Sequence, residues 1–203
     1  MKYFVFNDPT YNSLNFRPRR KADMKALNSS VSQFGGNGVD TDLSAFFAAG
    51  GKLIMYHGWS DPAISPMVSI NYYTAMAKRL TAGDYIRLQR KARLFMVPGM
   101  HHCGGGPGPN TFDPLTPLVK WVQFGTAPNQ IVATHNTGND TTQPVDRTMP
   151  LCPYPQMAFH ASGPLNDASG YVCRNPSSVG QGAGVGFDPR GPFHPRLEST
   201  LPK

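Results

Sequence analysis

An aspartate and a histidine follow two apolar segments, and together they could supply the acid and the base of a hydrolytic site. Asp61 comes directly after LIMYHGWS, and His102 lies in VPGMHHCGGG, which follows RLFM. Each apolar segment is typical of a buried strand, and open α/β sheets place their chemistry at the carboxyl ends of the strands. The order aspartate then histidine is also that of the last two members of a nucleophile, acid and histidine triad.

The chemistry that this pair predicts is ester hydrolysis through a nucleophile. A serine hydroxyl needs a neutral imidazole to take its proton, and the imidazole needs a carboxylate that fixes its tautomer and stabilises its charged form. Asp61 suits the carboxylate role and His102 the base role, although an aspartate before a proline often only shapes a turn. The nucleophile is missing: no G-x-S-x-G occurs, and Ser60 has Pro62 where the second glycine would stand.

Other interpretations of these loops are weaker. His101, His102 and Cys103 are adjacent and lack the second ligand cluster of zinc motifs, so the sequence does not favour a metal site. The run GGGPG lacks the lysine of a phosphate loop. His57 is interpreted as a structural residue at a strand end, and Trp59 as a packing anchor.

The composition predicts a loop-rich protein and does not favour a nucleic-acid or membrane partner. The 203 residues suffice for one domain or for part of a larger one, and they include 21 Gly and 20 Pro. The net charge is +7, but the basic residues are scattered, which does not favour nucleic-acid binding. Neither a signal peptide nor a stretch long enough to cross a membrane is visible.

Strand and helix signals alternate around the two candidate residues. This alternation predicts an α/β fold with a mainly parallel sheet and flanking helices. Three strands are too few to build such a sheet alone, so we expect the later part of a larger one. The predicted elements are a helix over residues 42–49, a strand over 52–57, a helix over 67–80, a strand over 93–98, a helix over 115–124 and a strand or extended edge over 131–135.

The remaining segments are predicted to be irregular. Residues 1–41 form a lead-in with at most a short helix or two, residues 42–173 form the α/β part, and residues 174–203 form a loose tail with little apolar content. Cys152 and Cys173 can bond to each other within a Pro- and Gly-rich region, which leaves Cys103 without a partner. The plainest interpretation of Cys103 is then a buried free thiol, although its position directly after the candidate catalytic histidine weakens that interpretation.

Five strings follow one another in a fixed order along the chain: DLSAFFAAGGKLIMYHGWSDPAISP, YYTAM, RLFMVPGMHHCGGGPG, VKWVQFGTAP and PLCPYPQMAFHASG. Together they resemble the C-terminal portion of the tannase and feruloyl esterase family, whose members are α/β-hydrolases. The resemblance covers about residues 42–173 and implies a carboxylic ester hydrolase acting on aromatic esters, such as gallate, ferulate or terephthalate-like esters.

The resemblance implies a role for individual residues. The family's catalytic acid falls on Asp61, its catalytic histidine falls on His102, and Ile64 falls where the family often lines the acyl pocket. Cys103 matches one half of a disulfide whose other half precedes the family's serine. Cys152 and Cys173 match the family's C-terminal disulfide. Two disulfides imply a secreted or periplasmic protein.

The family's serine segment, its oxyanion-hole residues and its calcium-binding lid all precede the region that this sequence resembles. We therefore expect a C-terminal fragment or one half of a split esterase, without a cofactor in this segment, whose partners are an aromatic ester and a serine-bearing segment or chain. Two alternatives stay open: a non-catalytic binding module that keeps half of a hydrolase scaffold, and a nucleophile reassigned within the chain.

Overall fold

The computed structural model describes residues 1–33 and 38–176. It contains two compact units, of which the first is Met1–Asp40 and the second begins at Thr41. The predicted loose tail lies almost entirely outside the described residues, which end at 176.

The first unit contains a longer helix than the short ones predicted for the lead-in. Helix α1 (Lys21–Gln33) has 13 residues. Its first turn carries Asp23, whose buried carboxylate accepts hydrogen bonds from the backbone N–H of Arg17 at 2.8 Å and from the guanidinium of Arg20 at 2.8 Å. These bonds tie the segment before the helix to its first turn, where a carboxylate also interacts favourably with the helix dipole.

The second unit begins with helices interspersed with parallel strands, as in an α/β fold, and ends with four strands that no α-helix separates. In chain order they are α2 (Ser44–Ala48), β1 (Leu53–Gly58), α3 (Met67–Thr81), α4 (Tyr85–Leu88), β2 (Ala92–Val97), α5 (Leu115–Phe124), β3 (Ile131–Asn136), β4 (Val145–Leu151), β5 (Met157–His160) and β6 (Tyr171–Arg174).

Strands β1 and β2 pair in parallel, from Leu53 opposite Ala92 to Gly58 opposite Val97. Both lie within two residues of the strands predicted from the sequence. The connection between them contains α3, whose apolar face packs on β2 through residues that include Ile70 and Met76. Because parallel neighbours end at the same edge of a sheet, the loops that follow β1 and β2 emerge side by side.

The prediction of a mainly parallel sheet, with irregular chain after Gly138, is wrong for the described residues. Strand β3 pairs with β4 in antiparallel fashion, and β5 pairs with β6 in the same way. The signals were weak because β4, VDRTMPL, carries charges and Pro150, a residue found mainly in edge strands. Strands β5 and β6 have only four residues each.

The predicted disulfide is present between Cys152 and Cys173, with 5.5 Å between their Cα atoms. Cys152 directly follows β4, and Cys173 lies in β6, so the bond ties the two antiparallel pairs together. It constrains a region in which strands are short and loops are long.

We expect Cys173→Ser to lower the free energy of unfolding of the second unit by about 3 kcal/mol, because the loop that the disulfide closes gains freedom in the unfolded chain. Denaturant titration of the full chain measures this change. The matched control is Cys103→Ser, which alters an exposed free thiol and should change the value by less than about 0.5 kcal/mol. Equal losses in both variants would contradict this account of the disulfide.

Candidate active site

The loops that follow β1 and β2 are joined by backbone hydrogen bonds. The N–H of Trp59 donates to the carbonyl of Val97 at 2.9 Å, and the N–H of Ser60 donates to the carbonyl of Met100 at 3.1 Å. These bonds extend the strand pairing beyond the sheet. The loop that carries Asp61 and the loop that carries His102 are therefore held in a defined register.

Glycine at the end of β1 permits this close approach. A Cβ atom at Gly58 would overlap the backbone carbonyl of Met100, so a larger residue would push the two loops apart. Gly108 has the same relation to the carbonyl of Pro98, where the second loop folds back on itself. Gly58 and Gly108 thus allow backbone to pack directly on backbone.

Asp61 and His102 lie at hydrogen-bond distance. Oδ2 of Asp61 is 2.9 Å from Nδ1 of His102. Oδ1 of the same carboxylate accepts from the backbone N–H groups of Ala63 and Ile64 at 2.8 and 2.9 Å, which anchors this oxygen to the loop. The pair unites residues 41 positions apart in the sequence.

His57 is a third member of this cluster, and the sequence interpretation missed it. Its Nε2 lies 3.1 Å from Oδ2 of Asp61 and 3.2 Å from the carbonyl of Ile64, while its Nδ1 lies 2.7 Å from Oγ of Ser69. The available signal was a polar side chain inside an apolar strand, four positions before the candidate aspartate.

The surroundings of Asp61 favour its ionised form. Burial raises the pKa of this carboxyl, but the N–H of Ile64, the imidazole of His102 and the N–H of Ala63 outweigh burial and hold the pKa well below its usual range. The Asp61 side chain is only 5% exposed, whereas that of His102 is 47% exposed. The site therefore combines a shielded anion with an accessible imidazole.

The hydrogen bonds assign a tautomer to His102. A carboxylate only accepts, so Nδ1 of His102 carries the proton that faces Asp61. In the neutral ring Nε2 then has a free lone pair, and it has no hydrogen-bond partner within residues 1–33 and 38–176. An imidazole held in this way can take a proton from a hydroxyl group that approaches Nε2.

The other residues singled out in the sequence lie around this pair. Ile64 is half exposed beside Asp61. Ser60 adjoins Asp61, but no hydrogen bond joins its hydroxyl to His102 in the described part of the chain. Cys103 is a free, exposed thiol with a positive φ of 63°, and His101 is exposed.

An apolar cavity of about 170 Å³ opens next to Trp59. Its walls include Met96, Met149, Tyr154 and Met157. The described residues contain no group of three or more His, Cys, Asp or Glu side chains suited to a metal ion. They also contain no helix with the length and apolar character needed to cross a membrane.

The family model described as tannase and feruloyl esterase matches residues 2–174. The chain therefore belongs to the tannase and feruloyl esterase family. The predicted α/β architecture is that of its solved relatives. The esterase from Aspergillus oryzae superposes with a TM-score of 0.71 at 29% identity, over 85% of this chain and 36% of that one.

Two relatives show how much of a family member this chain represents. Mono(2-hydroxyethyl) terephthalate hydrolase from Piscinibacter sakaiensis is 46% identical over 139 residues, which are 68% of this chain and 22% of the relative. Feruloyl esterase C from Talaromyces stipitatus is 32% identical over 188 residues, 85% of this chain and 34% of the relative. The chain thus spans about a fifth to a third of the length of these proteins.

Acid should remove the stabilisation that the Asp61 carboxylate provides. Its pKa is lower in the folded than in the unfolded chain, so the unfolded state binds more protons in acid and stability falls as pH falls. The stabilisation is complete at pH values above 3.8, which is the ordinary pKa of an aspartate, and it is lost as the pH falls below that value. Free energies of unfolding of wild type and Asp61→Asn, measured across pH, should converge in acid. A constant difference would contradict this.

Gly58→Ala should lower the free energy of unfolding by about 1 to 3 kcal/mol, because the new methyl group overlaps the carbonyl of Met100 and forces the backbone to shift. The control is Gly104→Ala, where a Cβ meets nothing within 4 Å. Denaturant titration of both variants should show a loss at Gly58 only. Equal free energies of unfolding in the two variants would mean that the loops can move apart without loss of stability.

Proposed function

We propose that this chain supplies the acid and the base of a serine carboxylic ester hydrolase that acts on aromatic esters. The observation that carries the proposal is the 2.9 Å hydrogen bond between Asp61 and His102 at the ends of adjacent parallel strands. Asp61 is the catalytic acid member, and His102 is the general base.

In the proposed reaction Nε2 of His102 takes the proton of a serine hydroxyl as the serine oxygen attacks the ester carbonyl. The ionised Asp61 stabilises the imidazolium through Nδ1–H. His102 then gives the proton to the departing alcohol, and the acyl group stays on the serine. A water molecule, deprotonated by the same Nε2, attacks the acyl carbonyl, and Nε2 returns the proton to the serine oxygen as the bond between the serine and the acyl group breaks and the acid is released. These proton transfers require no metal or cofactor from this chain.

We propose that the serine belongs to a further segment or partner chain that packs against β1. Strand β1 pairs only with β2 among the described residues, so its other edge is open. Tyr56 in this strand and Trp59 directly after it are half exposed. Parallel sheets normally have both faces covered, and the unpaired N–H and C=O groups of an open edge can pair with another strand. Both observations support additional structure beside β1.

The aromatic substrate class is supported by the relatives and by the apolar cavity beside Trp59, which is two positions before Asp61 in the sequence. The relatives named above act, by their names, on feruloyl esters and on mono(2-hydroxyethyl) terephthalate. The cavity beside Trp59 is smaller than the roughly 300 to 1,000 Å³ of pockets for drug-sized ligands, a size that suits a single ring. We assign Ile64 to the wall that contacts the acyl group.

We also propose that the protein works in an oxidising compartment, as a secreted or periplasmic enzyme. The Cys152–Cys173 disulfide supports this location, because disulfides persist mainly outside the cytoplasm. Cys103 directly follows the base and exposes its thiol. It is suited to a second disulfide with a cysteine of the serine-bearing segment.

The test is a chimera in which residues 41–176 replace the matching region of mono(2-hydroxyethyl) terephthalate hydrolase. We expect hydrolysis of a chromogenic aromatic ester. Asp61→Asn should lower kcat by about 10⁴-fold, because the imidazole loses its tautomer, and His102→Ala should lower it by about 10⁶-fold. His101→Ala, which alters the neighbouring exposed imidazole, is the matched control and should leave kcat near its starting value.

The unmodified 203-residue chain should show no turnover of the same ester. Turnover by this chain alone that Ser60→Ala abolishes would overturn the proposal, because the chain would then contain its own nucleophile. A folded chimera that binds the ester without hydrolysing it would instead favour a non-catalytic binding module.

A further inference from the structure

Two imidazoles converge on a single carboxylate oxygen. Oδ2 of Asp61 lies 2.9 Å from Nδ1 of His102 and 3.1 Å from Nε2 of His57. The two rings differ in exposure, since the side chain of His57 is 12% exposed and that of His102 is 47% exposed. The ring of His102 is therefore accessible to solvent, and the ring of His57 is largely buried.

The partners of His57 fix its tautomer. Nε2 faces two oxygens that only accept, Oδ2 of Asp61 and the carbonyl of Ile64, so Nε2 carries a proton. Nδ1 of the neutral ring is then an acceptor, and the hydroxyl of Ser69 at 2.7 Å can donate to it. Each ring nitrogen has a partner, so rotation of the ring would break several hydrogen bonds.

His57 is also anchored on regular structure. It belongs to β1, and Ser69 lies in the first turn of α3. Asp61 lies in the loop between these two elements. The ring of His57 thus connects a strand and a helix and presents an N–H to the loop carboxylate from a fixed position.

We propose that His57 is a positioning residue that holds Oδ2 of Asp61 towards His102 and thereby selects the Nδ1–H tautomer of His102. The consequence for ester hydrolysis rests on the proposed function, since only a base with a free Nε2 lone pair can activate a serine. The selection of the tautomer is a property of this chain alone.

Ser69, His57 and Asp61 also have the composition of a triad, which suggests a competing role. In that case Ser69 would be a nucleophile and His57 its base. The low exposure of His57 argues against this, because an ester must reach both groups. A fluorophosphonate probe distinguishes the two roles, and we expect no labelling of Ser69.

The tautomers can be measured by long-range ¹H–¹⁵N NMR on the imidazoles of the full chain, at about pH 8, where ordinary histidines are neutral. In wild type the two ring nitrogens of His102 should resonate far apart, with Nδ1 protonated. In His57→Leu they should shift towards each other as both tautomers become populated. His57→Gln, which keeps an amide donor near the position of Nε2, should restore the wild-type pattern.

His135 supplies an internal control. Its Nδ1 lies 2.6 Å from Oδ1 of Asp146, a carboxylate that no second histidine contacts in the described residues. Its signals should stay unchanged in every His57 variant that is folded. Ser69→Ala keeps the His57 side chain and removes the partner of its Nδ1. This variant should shift the His102 signals in the same direction as His57→Leu, but by less. It provides the test if the His57→Leu chain does not fold.

Unchanged His102 signals in a folded His57→Leu or Ser69→Ala chain would overturn the proposal, and so would labelling of Ser69 by the probe. The readout requires neither turnover nor a serine-bearing partner. A chimera without esterase activity would therefore count against the proposed function and leave the tautomer result standing.

Discussion

The hydrogen bond between Asp61 and His102 depends on the parallel pairing of β1 and β2, which helix α3 and the backbone bonds of the following loops support. Residues 41 positions apart meet because both strands end at the same edge of the sheet. Helix α3 makes the parallel connection possible and covers β2 with apolar side chains. Beyond the strands, Trp59 and Ser60 continue the backbone hydrogen bonds into the loops. The Asp61–His102 bond thus continues a series of hydrogen bonds that starts with the pairing of β1 and β2.

The electrostatics of the site result from competition between burial and hydrogen bonding. A carboxylate with 5% exposure loses most of its hydration, which alone would favour the neutral acid. Two backbone N–H groups and two imidazoles replace the lost water, and they bind Asp61 more strongly as an anion. Fixed dipoles of this kind need no reorganisation when His102 gains a proton. The buried anion is therefore suited to stabilise an imidazolium beside it.

The parts of this structure that could be predicted from the sequence are those with strong local periodicity. Strands β1 and β2 are continuous apolar runs, and α3 and α5 show apolar residues at helical spacing between clear start and stop signals. Strands β4 to β6 carry charges, Pro150 or only four residues, so their pairing is decided by distant partners. His57 illustrates the same limit within the site. Its partner Ser69 is 12 positions away, and no local pattern joins them.

The contacts that order Asp61 and His102 lie wholly within this chain, and this matters for any hydroxyl group that approaches Nε2 of His102. Asp61 is hydrogen-bonded to its own loop, His102 is hydrogen-bonded to Asp61, and the two loops are hydrogen-bonded to each other. Folding of the chain therefore already includes the entropy cost of ordering these groups. A serine that approaches Nε2 then has to be positioned only relative to one fixed lone pair. The open edge of β1 offers a means to do so, because a strand paired there would be held in register with the same ladder that orients His102.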